Sequence, residues 1–235
     1  MVIGVIGAMQ MEVDGLKDSM STAKIETYSG VDYVIGKIND VDVIVAKCGV
    51  GKVFAAICAE AMILKFDVDL IINIGVGGTL TRDLDVLDVA VADKVMQHDM
   101  DTSPLGDPIG LLSGIDTIFL HTDSSVTALL CDCLSKKGIK YLTGTIATGD
   151  QFVESKKKKY SIRSKFNAIA TEMEGGSIGH VCFVNNVPFA VMRAISDGEG
   201  GAVDYQTFAE KAAEQAIEII LEFISRADEI KLPNV

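Results

Sequence analysis

The sequence has no apolar run long enough to cross a membrane as a helix. Its longest apolar stretches, such as 69–75 and 187–195, are broken by polar residues or glycine well before about 20 residues. The apolar residues 1–8 have no basic segment before them, and acidic residues follow at once. This pattern is not that of a secretory signal peptide, so we expect no contact with a membrane.

Basic residues are also scarce. The chain has 235 residues, of which 21 are Lys or Arg and 33 are Asp or Glu, so the formal net charge is −12. Because nucleic-acid backbones attract a surplus of Lys and Arg, this balance argues against a nucleic-acid partner. Hydrophobic residues make up 49% of the chain, and the mean hydropathy is +0.33. These values predict a large buried core, or apolar surface that is hidden in an oligomer.

The sequence indicates neither a disulfide framework nor a metal site. The five cysteines are scattered and odd in number, and no Cys-x-x-Cys occurs. This usage favours a reducing, cytoplasmic location. His98, His121 and His180 are far apart and form no ligand pattern, so we expect no bound metal.

Common cofactor and nucleophile motifs are missing as well. The glycine clusters at 49–54 and 75–80 lack the small sixth residue of a dinucleotide-binding fingerprint. Neither a nucleotide-binding P-loop nor the Gly-x-Ser-x-Gly turn of serine hydrolases occurs. The basic run 156–159 is most simply interpreted as the solvated face of a helix.

What the chain does contain is an alternation of buried strands and helices. Continuous apolar runs predict strands, and apolar residues at helical spacing predict helices between them. The predicted strands are 2–7, 25–28, 33–38, 41–47, 70–75, 88–97, 140–147, 168–172 and 188–196. The predicted helices are 10–19, 52–66, 122–137, 155–166, 175–185 and 205–228. This order is typical of an α/β fold with a mostly parallel sheet, which the hairpin region 25–47 makes mixed. The absence of a linker predicts one domain over 1–235.

Carboxylates gather where the predicted strands end, which is where ligands bind in open α/β sheets. Glu12 follows the first strand, Glu172 and Glu174 lie at the end of 168–172, and Asp197 follows the last strand. Each also has a simpler interpretation. Glu12 alone fits a surface partner of a helix dipole, the Glu172–Glu174 pair fits a solvated strand end, and Asp197 fits a turn cap.

Six segments at these strand ends occur in the order found in one known family. They are 6–13 (IGAMQMEV), 49–52 (GVGK), 72–78 (INIGVGG), 149–152 (GDQF), 172–174 (EME) and 193–197 (RAISD). Together they resemble the 5'-methylthioadenosine/S-adenosylhomocysteine nucleosidases of the purine and uridine phosphorylase superfamily. The resemblance implies a three-layer α/β/α sandwich around a twisted mixed β-sheet, of nucleoside phosphorylase type. It also implies a homodimer that hydrolyses the N-glycosidic bond of 5'-substituted adenosines without a metal or organic cofactor.

The resemblance further implies roles for individual residues. Glu12 matches the residue that activates water, and Asp197 matches the acid that protonates adenine N7. The implied substrate contacts are Met9, Val50, Gly78, Phe152, Val153, Glu172, Met173, Glu174, Arg193, Ser196 and Phe208. Among these, Phe152 and Val153 match adenine contacts, Glu174 matches the ribose hydroxyl contact, and Arg193 matches a residue near the catalytic water. Thr102 and Leu105 match a loop that closes the 5'-substituent pocket of the neighbouring subunit.

The chemistry of the reaction asks for carboxyl groups in opposite protonation states. The sugar gains positive charge and the base gains negative charge as the bond breaks, so the acid at the base must be protonated and the group facing water must be ionised. Burial beside the last strand is expected to raise the pKa of Asp197. One departure from the family is Val76-Gly77, where a serine and an alanine are usual, so any contact by that hydroxyl is missing.

Two other functions remain open at this point. A phosphorylase on the same fold would use phosphate in place of water, but it needs positive groups, and the strand ends supply mainly acids. A binding protein without turnover would keep the pocket, but it would not need both Glu12 and Asp197. The order of preference among methylthioadenosine, S-adenosylhomocysteine, 5'-deoxyadenosine and aminodeoxyfutalosine depends on the irregular loop 98–116.

Overall fold

The structure, a computed structural model, describes residues 1–198 and 201–232. The strands are β1 (Val2–Gly7), β2 (Ser21–Tyr28), β3 (Val31–Ile38), β4 (Val41–Lys47), β5 (Leu70–Asn73), β6 (Val76–Thr79), β7 (Val89–Gln97), β8 (Leu120–His121), β9 (Tyr141–Thr148), β10 (Ala168–Glu172) and β11 (Phe189–Asp197). The α-helices are α1 (Asp14–Asp18), α2 (Lys52–Phe66), α3 (Ser124–Lys136), α4 (Lys156–Phe166), α5 (Gly175–Val184) and α6 (Ala202–Ser225). Within the described ranges, no helix combines the length and the apolar character needed to cross a bilayer.

The strands form one mixed sheet in the order β2-β3-β4-β1-β5-β11-β6-β10-β9-β7-β8. β1 pairs in parallel with β4 and β5, and β5 pairs in parallel with β11. The hairpins β2–β3 and β3–β4 are antiparallel, as expected for the 25–47 region. The mixed α/β sheet predicted from the sequence is therefore confirmed.

Part of the sheet closes on itself. β7 pairs with β9 in parallel and also with β11 in the antiparallel direction, so β11, β6, β10, β9 and β7 form a ring of neighbouring strands. A closed ring leaves no free strand edge in this part of the sheet. It also brings the ends of β10 and β11 close to β6, which lies much earlier in the sequence.

Helices cover both faces of the sheet. On one face, α3 and α6 pack with apolar side chains of β1, β5 and β7 into one core cluster. On the other face, α2 and α5 pack with β4, β5 and β11 into a second cluster, and a smaller third cluster lies under α4. These layers agree with the three-layer architecture that the resemblance implied.

The boundaries of four elements were predicted correctly. The bounds of β1, β4, α2 and β10 match the predicted ranges. The predicted helix 10–19 is divided into a 3-10 turn at Gln10–Glu12 and the short helix α1. The division has a local cause, because the Glu12 side chain turns back to accept the backbone N–H groups of Ala8 and Met9.

The glycine-rich segment after β5 forms a strand that the sequence analysis did not predict. β6 pairs with β10 in the antiparallel direction and with β11 in parallel. Glycine has a low strand propensity, so here the partners on both sides determine the structure. Its small size is needed, because a Cβ at Gly77 would lie 3.0 Å from the carbonyl oxygen of Thr171.

Candidate active site

A cavity of about 390 Å³ opens where β1, β10 and β11 end, beside β6. Small-molecule sites typically have volumes of about 300–1,000 Å³. The predicted site residues that lie in its wall are Met9, Glu12, Val50, Gly78, Phe152, Val153, Glu172, Met173, Glu174, Ser196 and Asp197. The structure therefore brings together residues from six distant segments, and both predicted catalytic carboxyl groups line the same cavity.

Glu12 is held in the cavity wall by backbone donors. The side chain is buried, and its Oε2 accepts the N–H of Ala8 at 2.7 Å and of Met9 at 2.9 Å. Its Oε1 accepts the N–H of Val76 at 3.0 Å. Burial raises the pKa of Glu12, whereas the charge of Arg193 and these three N–H donors favour the carboxylate. The arrangement fixes the position of Glu12 and offsets part of the cost of burying its charge.

The departure at Val76-Gly77 does not disturb this contact. The bond to Glu12 comes from the backbone N–H of Val76, so it does not depend on the side chain at that position. At the preceding Gly75, a Cβ would lie 2.6 Å from Oε1 of Glu12. This segment therefore contacts Glu12 through a closely approaching backbone and not through a hydroxyl group.

Asp197 is the last residue of β11 and is buried. Ser196 Oγ donates to its Oδ1 at 3.3 Å, and Lys159 Nζ lies 3.1 Å from its Oδ2. Burial raises the pKa of Asp197, against the lowering effects of Lys159 and Ser196, so the predicted direction is confirmed. A Cβ at Gly78 would lie 2.8 Å from Oδ2, so glycine is needed to leave space for this carboxyl group.

Lys159 corrects one interpretation made from the sequence. The run 156–159 was interpreted as a solvated helix face, but the side chain of Lys159 is only 12% exposed and forms an ion pair with Asp197. Its amine also donates to the carbonyl oxygen of Gly198 at 2.7 Å. The reason is packing, since α4 lies against β9 and β10 and its first turn reaches the end of β11.

Two further carboxylates share one arginine behind the cavity. Arg193 is 1% exposed, pairs with Glu172, and lies 3.7 Å from the Oε2 of Glu174. The Oε1 of Glu174 accepts the N–H of Gly51 at 2.8 Å. Burial, followed by the charge of Glu172, raises the pKa of Glu174 to about 7. The cluster thus presents Glu174 to the cavity and balances its charge from behind.

Arg193 is a predicted site residue that lies behind the cavity wall, close enough for its charge to act on Glu12. It is absent from the cavity wall, and its two terminal nitrogens donate to Glu172, Asn73 and backbone carbonyl groups. Glu172 also accepts the N–H groups of Glu174 and Gly175, so its oxygens are largely saturated by protein donors. The side chains of Arg193 and Glu172 therefore hold the local backbone and orient Glu174.

Aromatic and apolar side chains form the opposite part of the wall. Phe152 meets the ring of Tyr205 edge to face, with 5.6 Å between ring centroids. The hydroxyl of Tyr205 donates to the sulfur of Met9 at 3.2 Å. Phe152 is 49% exposed, while Val153 is buried. This surface suits a flat, apolar ring that also needs polar contacts at its edge.

Besides Arg193, three predicted residues lie outside this cavity wall. Phe208 is half-buried on α6, one turn beyond Tyr205, because the helix begins at Ala202 and presents Tyr205 and Gln206 to the cavity instead. Thr102 and Leu105 lie at a 3-10 turn of the loop 98–116, and Leu105 is 84% exposed. In this single chain neither reaches the cavity, so their predicted role requires a second subunit.

Sequence reasoning missed Tyr205, Thr171 and Lys159. Thr171 follows the apolar strand start of β10, and its buried hydroxyl has no hydrogen-bond partner although the residue lines the cavity. Tyr205 is the first residue of the last predicted helix, which follows the end of the last strand. This position close to a strand end was the available indication that Tyr205 could reach the site. No local sequence pattern indicated Lys159 as a site residue, because its contact with Asp197 spans 38 residues.

No group of His, Cys, Asp and Glu side chains in residues 1–198 and 201–232 has an arrangement that could hold a metal ion.

Comparison with known proteins places the chain in a family. A profile of the Phosphorylase superfamily matches residues 2–225. A 5'-methylthioadenosine/S-adenosylhomocysteine nucleosidase of Haemophilus influenzae is 36% identical over 96% of this chain and 100% of its own. The same kind of enzyme from Colwellia psychrerythraea, solved in complex with adenine, is 31% identical with a TM-score of 0.91, covering 96% of this chain and 95% of that one.

A third relative has a different name. The futalosine hydrolase of Helicobacter pylori is 34% identical with a TM-score of 0.91, covering 97% of this chain and 98% of that one. The sequence match and the two structure matches each extend over nearly the full length of both chains. The chain therefore belongs to the 5'-methylthioadenosine/S-adenosylhomocysteine nucleosidase family of the phosphorylase superfamily.

Proposed function

We propose that this protein hydrolyses the N-glycosidic bond of 5'-methylthioadenosine, S-adenosylhomocysteine and related 5'-substituted adenosines, giving adenine and the 5'-substituted ribose. The observation that carries the proposal is the pair of buried carboxyl groups, Glu12 and Asp197, in the wall of one cavity. The relatives named as nucleosidases support the substrate class. The proposed reaction uses side chains and water alone.

In this proposal Asp197 is the general acid. As the bond between the sugar and the base breaks, its electron pair moves onto the purine, and Asp197 gives a proton to N7. Burial, which raises the pKa of Asp197, favours the protonated form that this step needs. Ser196, which donates to Asp197, orients the carboxyl group.

Glu12 is the proposed base. Three backbone N–H groups and the charge of Arg193 favour its carboxylate against the effect of burial. An ionised Glu12 draws a proton from water as the oxygen attacks the sugar carbon left by the base. Because the three donors fix both carboxylate oxygens, water can be held in one position relative to the sugar.

Glu174 and the aromatic wall are proposed to hold the substrate. Glu174 accepts the 2'- and 3'-hydroxyl groups of the ribose, and its negative charge favours the sugar as positive charge develops there. Phe152 stacks on the adenine ring, and the backbone of Val153 contacts the ring edge. Met9, Val50 and Met173 provide apolar contact with the ribose and the 5' group.

We also propose a homodimer. Apolar side chains are exposed on one face of α2, where Val53 is 69%, Phe54 is 57% and Leu64 is 67% exposed. α5 packs beside α2 and adds exposed Phe183 and Val184. Monomeric soluble proteins rarely expose a continuous apolar surface of this kind. A second copy of the chain would cover it and bring Thr102 and Leu105 to the partner's cavity.

The oligomeric state can be measured by light scattering during gel filtration. Phe54→Glu is expected to yield monomers with reduced activity, whereas Ile25→Glu, which changes an exposed apolar residue on the edge strand β2, is expected to remain dimeric. A wild-type chain that is monomeric at micromolar concentration would contradict the dimer.

Two finer features complete the proposal. The chain is a single domain, which the continuous sheet from β1 to β11 supports. It acts in the cytoplasm, which its unpaired cysteines support, since thiols persist in a reducing compartment.

The proposed reaction is tested by adenine release from methylthioadenosine, S-adenosylhomocysteine, 5'-deoxyadenosine and aminodeoxyfutalosine, with and without phosphate. We expect release without phosphate from at least one of the four. Strict dependence on phosphate would make the protein a phosphorylase. Tight binding of adenine with no turnover of any of the four would make it a binding protein.

A further inference from the structure

Lys159 contacts the proposed general acid from a helix that is otherwise outside the site. Its Nζ lies 3.1 Å from Oδ2 of Asp197, and the two side chains are 12% and 4% exposed. The same amine donates to the carbonyl oxygen of Gly198 at 2.7 Å. Within the described ranges, Lys159 is the one basic side chain that forms an ion pair with Asp197.

The position of Lys159 is not explained by the helix that carries it. Lys159 lies close to the N-terminus of α4, which begins at Lys156 and has no acidic residue in its first turn. The positive end of the helix dipole disfavours a cation there. Lys157, two residues earlier, is exposed, as expected for a solvated face. Lys159 instead points inward, and its contact with Asp197 offsets the unfavourable dipole.

The charges around Asp197 act in two directions. Burial and the nearby carboxylate of Asp204 favour the protonated form of Asp197. Lys159 and the hydroxyl of Ser196 favour the ionised form. Lys159 is the strongest of the groups that lower the pKa of Asp197, so it offsets the effect of burial most.

This balance matters in the transition state. When Asp197 gives its proton to the purine, the electron pair of the broken O–H bond stays on the carboxylate, and the electron pair of the broken glycosidic bond is taken by the base. A cation fixed beside the carboxylate lowers the energy of this product of proton transfer. We propose that Lys159 is a positioning residue that holds the Asp197 carboxyl group and stabilises its negative charge as the proton leaves. The proposal rests on the general-acid role of Asp197 proposed above.

The test is the pH profile of kcat/KM for adenine release in Lys159→Met, which keeps most of the aliphatic stem and removes the charge. The rate falls at high pH because Asp197 loses its proton there. Without Lys159, that fall is expected at a pH higher by about 1–3 units, the usual effect of an adjacent opposite charge. The plateau of kcat is expected to fall severalfold, because the remaining acid is weaker.

Three further variants make the result specific. Lys159→Arg keeps the charge and should keep the high-pH limb close to that of the wild type. Lys157→Met removes an equal charge from the exposed face of the same helix and should leave the profile unchanged. Lys159→Gln keeps a donor for the Gly198 carbonyl group, so it serves in place of Lys159→Met should that variant fail to fold.

The outcomes separate the two proposals. If Lys159→Met and Lys159→Gln fold and their high-pH limb does not move, the inference about Lys159 is wrong, while Asp197 can still be the acid. If Asp197→Asn keeps near-normal activity, the general-acid role itself is wrong. An equal upward shift in Lys157→Met would show that the effect comes from net charge and would also overturn the inference.

Discussion

Replacing Asp197 by asparagine removes the transferable proton and changes little else in the cavity. The amide keeps the shape of the side chain and an oxygen that can accept from Ser196 or Lys159, which now bond the carboxyl group at 3.3 and 3.1 Å. It cannot give a proton to the purine. The variant therefore isolates proton transfer from binding.

The size of the effect follows from the role of a single acid. A positioned group that transfers a proton typically contributes about 10²–10⁴-fold to the rate, which corresponds to about 3–5 kcal/mol of transition-state stabilisation. We therefore expect kcat of Asp197→Asn to fall by that factor. The dissociation constant for adenine should change by less than about tenfold, because the Phe152 and Val153 contacts remain.

The assay is adenine release at saturating methylthioadenosine, with adenine affinity measured by calorimetry on the same preparation. Asp228→Asn, an exposed position in the C-terminal 3-10 turn, is the matched control and should behave as the wild type. A loss of less than about fivefold in kcat would refute the reasoning. A loss of adenine binding equal to the loss of kcat would show that Asp197 acts in binding rather than in proton transfer.

Three other predictions follow from the same geometry. Glu12→Gln should lower kcat by about 10²–10⁴-fold while adenine still binds, and a variant that only unfolds more easily, with normal kcat, would favour a purely structural role. Glu174→Gln should raise KM and lower kcat for nucleosides but leave free adenine affinity unchanged, since adenine has no ribose, so equal losses for both ligands would contradict the assignment. Thr171→Val should raise the free energy of unfolding in urea by about 1 kcal/mol, because the buried hydroxyl of Thr171 has no partner. A destabilised Thr171→Val would show that this hydroxyl is bonded, for example to water.

The pH dependence of activity should have two limbs. Glu12 and Glu174 must be ionised, so the rate rises as pH rises through their pKa values. Burial raises the pKa of Glu12 above the ordinary value, and burial together with the charge of Glu172 raises the pKa of Glu174 to about 7. Asp197 must be protonated, so the rate falls as pH rises through its pKa, which burial also raises. We therefore expect a bell-shaped profile for kcat/KM, and comparison of the low-pH limb in Glu12→Gln and in Glu174→Gln would show which carboxylate sets it.

Much of the fold could be predicted because the central strands carry runs of buried apolar residues. Continuous apolar runs gave the bounds of β1 and β4 correctly, and helical spacing gave those of α2. β6 could not be predicted from its own residues, since Gly77 and Gly78 have no preference for a strand. Its conformation comes from pairing with β10 and β11, and its small residues are needed where Asp197 and Arg193 approach.

The site shows the same division. Glu12 and Asp197 were found because carboxylates at strand ends converge in an α/β fold. The rule that ligands bind at the carboxyl ends of strands does not say which way a buried side chain faces. It therefore could not show that Arg193 lies behind Glu172 and Glu174. Lys159 reaches Asp197 through the packing of α4, a long-range contact that no local pattern encodes.

The central claim is that a water molecule, rather than phosphate, attacks the anomeric carbon of the sugar while Asp197 gives a proton to the base. Its most direct test is a reaction in ¹⁸O-labelled water with phosphate present, followed by mass spectrometry of the sugar product. We predict one ¹⁸O atom at the anomeric carbon of a free 5'-substituted ribose. Formation of an unlabelled sugar 1-phosphate would contradict the account.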